Sequence, residues 1–98
     1  MAESPRDEIA KLESMYQANP EGRVFTHLAE AYRKAGDLVR AREVLEDGLR
    51  RHADSASGYV VLGRVMQDMG QPQESSAAFA RVLELDPENR VAIRSLGL

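Results

Sequence analysis

Ninety-eight residues suffice for one modest hydrophobic core and are too few for several domains. The absence of cysteine excludes disulfides and thiolate zinc sites, and a formal net charge of −3 argues against nucleic acid as the partner, because phosphate binding needs a basic face. No apolar run approaches the ~20 residues of a membrane span, and the acidic start Met1-Ala-Glu-Ser-Pro-Arg-Asp-Glu is not a secretory signal, so no membrane association is expected and the default location is cytoplasmic.

Six helical patterns follow in order. The first covers 5–18, with Pro5 in the first turn and Ile9, Leu12 and Met15 as its apolar positions. The second covers 22–35, where Phe25, Leu28, Ala29 and Tyr32 fall at i, i+3, i+4 and i+7 on one face. Gly36 follows as a left-handed terminator, and Asp37 stands where an N-cap acceptor serves the third helix, 38–51. That helix carries Leu38, Ala41, Val44, Leu45, Gly48 and Leu49 on one face. The fourth, 56–69, repeats the second through Tyr59, Leu62, Gly63 and Met66, and Gly70 ends it. Pro72 opens the fifth, 72–85, with Phe79, Val82 and Leu83 as its stripe, and Asp86-Pro87 closes it. The sixth starts at Arg90 and runs to 97, with Val91, Ile93 and Leu96 either presented outward or folded back as a cap. Leu62→Ala is expected to cost ~2–5 kcal/mol as a core truncation.

The second to fifth helices form two copies of one unit. Sliding the sequence by 34 residues sets Leu28 on Leu62, Gly36 on Gly70, Leu49 on Leu83, Phe25 on Tyr59, Leu45 on Phe79, Ala41 on Ser75 and Ala29 on Gly63. A second slide sets Tyr59 on Ile93, Leu62 on Leu96 and Gly63 on Gly97. Asn19-Pro20-Glu21-Gly22-Arg23 echoes Asp86-Pro87-Glu88-Asn89-Arg90, and Pro5 stands to Pro20 as Pro72 stands to Pro87. The reading is a single domain over 1–98: a half-repeat helix (5–18), a first repeat (22–55), a second (56–89), and the start of a third or a capping helix (90–98). Helices of ~12–15 residues are marginal alone, so each must bury its stripe on its neighbours.

The pattern resembles the tetratricopeptide repeat family. Its first-helix motif is present as Phe25-x-x-Leu28-Ala29-x-x-Tyr32 and Tyr59-x-x-Leu62-Gly63-x-x-Met66. Its second-helix motif is present as Ala41-x-x-x-Leu45 with Gly48, and Ser75-x-x-x-Phe79 with Val82 and Pro87. Ala53 in place of a closing proline and the large Val82 depart from that pattern. The resemblance implies an all-α, right-handed α-α superhelix, a solenoid of antiparallel helix pairs. It also implies a concave surface, lined by the first helices, across which partner peptides lie. Carried over position by position, that surface comprises Arg23, Thr26, Glu30, Arg33 and Lys34 in the first repeat, Ser57, Val60, Arg64, Gln67 and Asp68 in the second, and Val91 and Arg94 after it. The Lys and Asn set with which some members hold a peptide's C-terminal carboxylate is missing: Thr26, Glu30 and Val61 occupy its places. The remaining cations favour an acidic segment.

No phosphate-cradling glycine loop, H-E-x-x-H or G-x-S-x-G motif is present. His27 and His52, the two imidazoles, fall on different helices without a third ligand, so no metal or cofactor is expected and the chain does not read as an enzyme. The expected function is a non-catalytic protein–protein interaction scaffold. The alternative is a self-associating or capping segment of a longer solenoid, with weak association through the last helix.

Overall fold

A computed structural model describes residues 4–98; the first three residues of the expected domain lie outside the described residues. Among the described residues there are six helices and no strand: α1 Pro5–Ala18, α2 Phe25–Lys34, α3 Leu38–Arg51, α4 Ala56–Asp68, α5 Pro72–Leu85 and α6 Arg90–Ser95. Each helix packs on the next in sequence, and α2 also packs on α4. The result is an elongated all-α solenoid measuring 41 × 25 × 24 Å.

The helix ends follow from local chemistry. Ser4 and Asp7 form a reciprocal capping box on α1, at 3.2 and 3.4 Å, with Pro5 just inside it. Asp37 accepts from the Arg40 N–H at 3.2 Å, Ser55 from Gly58 at 3.0 Å and Asn89 from Ala92 at 3.0 Å. Gly36 (φ 85°) and Gly70 (φ 75°) take the left-handed conformation that side chains resist, and paired bonds fold the chain over there. Asp37 N–H reaches the Tyr32 carbonyl at 2.9 Å, and Gln71 N–H reaches that of Met66 at 2.8 Å. Gly97 closes α6 in the same way, although its repeat position matches the mid-helix Gly63.

One start differs from expectation. α2 begins at Phe25, not at 22. Gly22 instead turns back on Asn19, its N–H bonding that carbonyl at 3.0 Å, and Val24 offers no side-chain cap, so the chain enters the helix three residues late.

The core forms two clusters. The first joins Phe25, Leu28, Ala29, Tyr32, Ala41, Leu45 and Leu49 to Val61 and Val65, so α4 closes over the α2–α3 pair. The second joins Val60, Phe79, Val82 and Ala92, with Val91 and Leu96 packed against it. Val91 and Leu96 therefore turn inward onto this cluster, while Leu98 is 79% exposed. Leu62 and Tyr59 are only half-buried, and the buried set of α4 is Gly58, Val60, Val61, Gly63, Val65 and Met66.

Small residues set the spacing between helices. A Cβ on Gly48 would overlap the Phe25 ring, and one on Gly63 would stand 2.6 Å from Phe79 Cζ. Ser75 sits over Gly63 as expected of a facing pair, and its hydroxyl donates to the Gly63 carbonyl at 2.8 Å.

Candidate peptide-binding face

The first helices lie side by side. α2 packs on α4, and Val60 of α4 shares a core cluster with Ala92 of α6. Their apolar stripes turn inward, toward α3 and α5, and polar side chains of α2 and α4 meet on one common face, where Arg33 reaches Asp68 and Arg64 reaches Glu30.

The centre of that face is an ion-pair quartet spanning α2 and α4. Arg33 donates to both oxygens of Glu30, from Nε at 2.6 Å and from Nη2 at 3.2 Å. Its Nη1 crosses to Asp68 at 2.9 Å. Arg64 approaches Glu30 from the second repeat at 3.5 Å. The Arg33 bonds hold the Glu30 carboxyl below its ordinary range against the opposing effect of burial. The Arg33 guanidinium is correspondingly raised, chiefly by Glu30. Two cations and two carboxylates leave the quartet without net charge.

The other positions assigned from sequence divide. Lys34 is exposed beside the quartet, in a cleft of about 310 Å³ lined by Pro5, Glu8, His27, Glu30, Ala31 and Ala35. Ser57, Gln67 and Arg94 are exposed, and Thr26 is half-exposed with its hydroxyl donating to the Arg23 carbonyl at 3.3 Å. Two positions stand apart from these. Val60 is 9% exposed and belongs to the core, because α6 folds over it. Arg23 precedes α2 in the loop and pairs with Asp54 at 3.5 Å. Val91 packs against the second cluster.

Sequence reasoning missed the polar docking of α1. The Tyr16 hydroxyl donates to Asp47 on α3, which Arg51 also binds, and the Tyr32 hydroxyl donates to Glu13 on α1 at 2.6 Å. The Asp47 carboxyl is held low, first by the Tyr16 bond, while burial and then Glu13 push the Tyr32 phenol up to about 12. No short-range signal reveals partners 19 and 31 residues apart. The His52 ring stacks on Phe25 at 5.7 Å, and its Nε2 meets the Glu21 carbonyl at 2.7 Å. Among the described residues no cluster of three or more His, Cys, Asp or Glu could hold a metal ion. No helix there is long and apolar enough to cross a membrane.

Paired helices in a fixed phase, each first helix ended by a left-handed glycine and joined to its partner by a short turn, define an α-helical repeat protein. Two tetratricopeptide repeat models match the chain, over residues 22–65 and 56–89. The chain belongs to the tetratricopeptide repeat family. A curated relative, cellulose synthase operon protein C of Xanthomonas axonopodis pv. citri (strain 306), is 32% identical over 68 residues. That match covers 69% of this chain but only 4% of the relative. Among solved structures, the first tetratricopeptide domain of Spaghetti (RPAP3), bound to the HSP90 peptide SRMEEVD, superposes with a TM-score of 0.90 at 21% identity. The match covers 95% of this chain and 75% of that one, and it shows the shared fold.

Proposed function

We propose that the chain is a non-catalytic protein-interaction module that receives an extended segment of a partner protein across the concave face of α2, α4 and α6. The observation that carries this reading is the common polar face of the first helices, held on a scaffold whose buried apolar residues form two core clusters. Family membership and a structural relative that holds a peptide support it. The domain reading goes with it: two full repeats, 22–55 and 56–89, flanked by α1 and α6, form one interaction unit.

The test is affinity capture with matched charge reversals. Arg33→Glu with Arg64→Glu alters the first-helix face, and Arg42→Glu alters the exposed side of α3. Circular dichroism establishes that each variant folds. The expected result is loss of captured partners with the first-helix pair and retention with Arg42→Glu. Unchanged capture by both variants would remove the first-helix face from consideration.

A further inference from the structure

The first helices carry a positive excess that the chain as a whole does not. α2, α4 and α6 hold five cations (Arg33, Lys34, Arg64, Arg90, Arg94) against two carboxylates, Glu30 and Asp68, within a chain of net charge −3. The quartet divides these cations by availability. Arg33 has three of its nitrogens engaged, on Glu30 and Asp68. Arg64 touches the quartet by one long 3.5 Å contact and its side chain is 40% exposed. Lys34 and Arg94 are exposed and make no ion pair among the described residues. Arg64 lies at the α2–α4 seam, and Lys34 lines the cleft on the α1 side of Glu30.

We infer that this face selects a partner segment rich in side-chain carboxylates, received by Arg64 at the α2–α4 seam, by Lys34 on the α1 side of Glu30 and by Arg94 on α6. The inference rests on the first-helix reading above and gives its partner a chemistry. Glu30 acts as a built-in competitor. It occupies the position of an incoming carboxylate, holding Arg33 closed and Arg64 loosely, so a ligand carboxylate displaces the 3.5 Å contact and leaves the Arg33 bonds in place. Arg33 is a positioning residue that ties α2 to α4 and keeps Arg64 at the seam. A protein partner fits better than a nucleic acid. The aromatic rings of the first helices, Phe25, Tyr32 and Tyr59, are buried or half-buried, and Tyr59 lies under Arg81 at 5.7 Å, so no stacking platform for bases accompanies the charge.

Three probes separate the outcomes in titrations of the isotopically labelled 98-residue chain followed by amide shifts. They are an acetylated, amidated dodecapeptide of alternating Glu and Ser, the same peptide with Gln for Glu, and a 12-nucleotide oligouridylate. The Glu peptide is expected to shift amides of α2, α4 and α6 and to bind more weakly as salt rises from about 50 to 300 mM, as the screening length shortens. Lys34→Gln with Arg64→Gln is expected to weaken it about tenfold, the loss of two charge-assisted contacts. Glu30→Gln is expected to tighten binding, an outcome that a purely structural role for Glu30 does not produce. Equal binding of the Gln peptide at the same helices overturns the acidic preference and leaves the first-helix reading standing. Shifts confined to α1, α3 and α5 overturn both. Absence of binding by the Glu peptide at millimolar concentration, or tighter binding of the oligouridylate, overturns the inference.

Discussion

Gly48 and Val82 occupy the same place in successive repeats and serve different neighbours. Beside Gly48 the Phe25 ring is fully buried, with no space for even one added methyl group. At the matching place in the second repeat Val82 is fully buried and fills the room itself. Tyr59, the counterpart of Phe25, is half-buried with Arg81 over its ring. The two sets exchange volume between helices, as close packing requires. Gly48→Ala is therefore expected to lose ~1–3 kcal/mol through overpacking, seen as a lower urea midpoint, and Phe25→Leu in the same chain should restore part of it. Leu28, 1% exposed, is the better site for a core truncation than Leu62. Leu28→Ala should cost ~2–5 kcal/mol, and Leu62→Ala measurably less. The periodicity of Tyr59, Leu62, Gly63 and Met66 was legible, but a single stripe cannot show that α4 is enclosed on several sides.

At the scale of the element, α1 differs from its counterpart α5. None of its side chains is fully buried, and Glu8 and Lys11 stand where α5 places the buried Ser75 and Ala78. Its outward face is solvated, and its inward face is held by half-buried Ile9, Leu12 and Tyr16 together with two tyrosine–carboxylate bonds. Tyr16→Phe should speed hydrogen exchange in α1 while α4 and α5 keep their protection; equal protection of α1 would show that its apolar contacts alone suffice. The same docking gives a pH dependence. The Asp47 carboxyl titrates below its ordinary value in the folded chain, so its contribution is present above the unfolded value and is lost as pH falls through the folded one. Urea midpoints measured from neutral pH down into the acid range should decline, and Asp47→Asn should reduce that slope. The Tyr32 phenol, raised to about 12, works in the opposite sense: its contribution is present below its unfolded value and is lost as pH rises toward that number.

Across the whole molecule, contacts run mainly between neighbours along the chain, and stability is distributed accordingly. Repeat phase, the caps at Asp37 and Pro72 and the glycine terminators were readable because each depends on residues close in sequence. The site was less readable. Arg33 and Asp68, 35 residues apart, could be named as sharing a face, but their bond and the neutral quartet around it depend on how two repeats stack. Val60 could not be recognised as core without knowing that α6 folds over it. A chain shortened to residues 1–88 loses Ala92 from the second cluster. It should melt at lower urea, with α5 amides exchanging first; an unchanged midpoint would show that Val60, Phe79 and Val82 hold together without α6.

The exchange of volume between Phe25–Gly48 and Tyr59–Val82 also bears on how such genes can recombine. Each matched set is divided between the two helices of one unit, on either side of the glycine turns at Gly36 and Gly70. A crossover at those turns would set Val82 beside Phe25, where even one added methyl group finds no room. A crossover in the stretch between α3 and α4 keeps both sets whole. A chain joined at a glycine turn should therefore unfold at lower urea than one joined between α3 and α4, because the unit that transfers intact is the helix pair and not the helix.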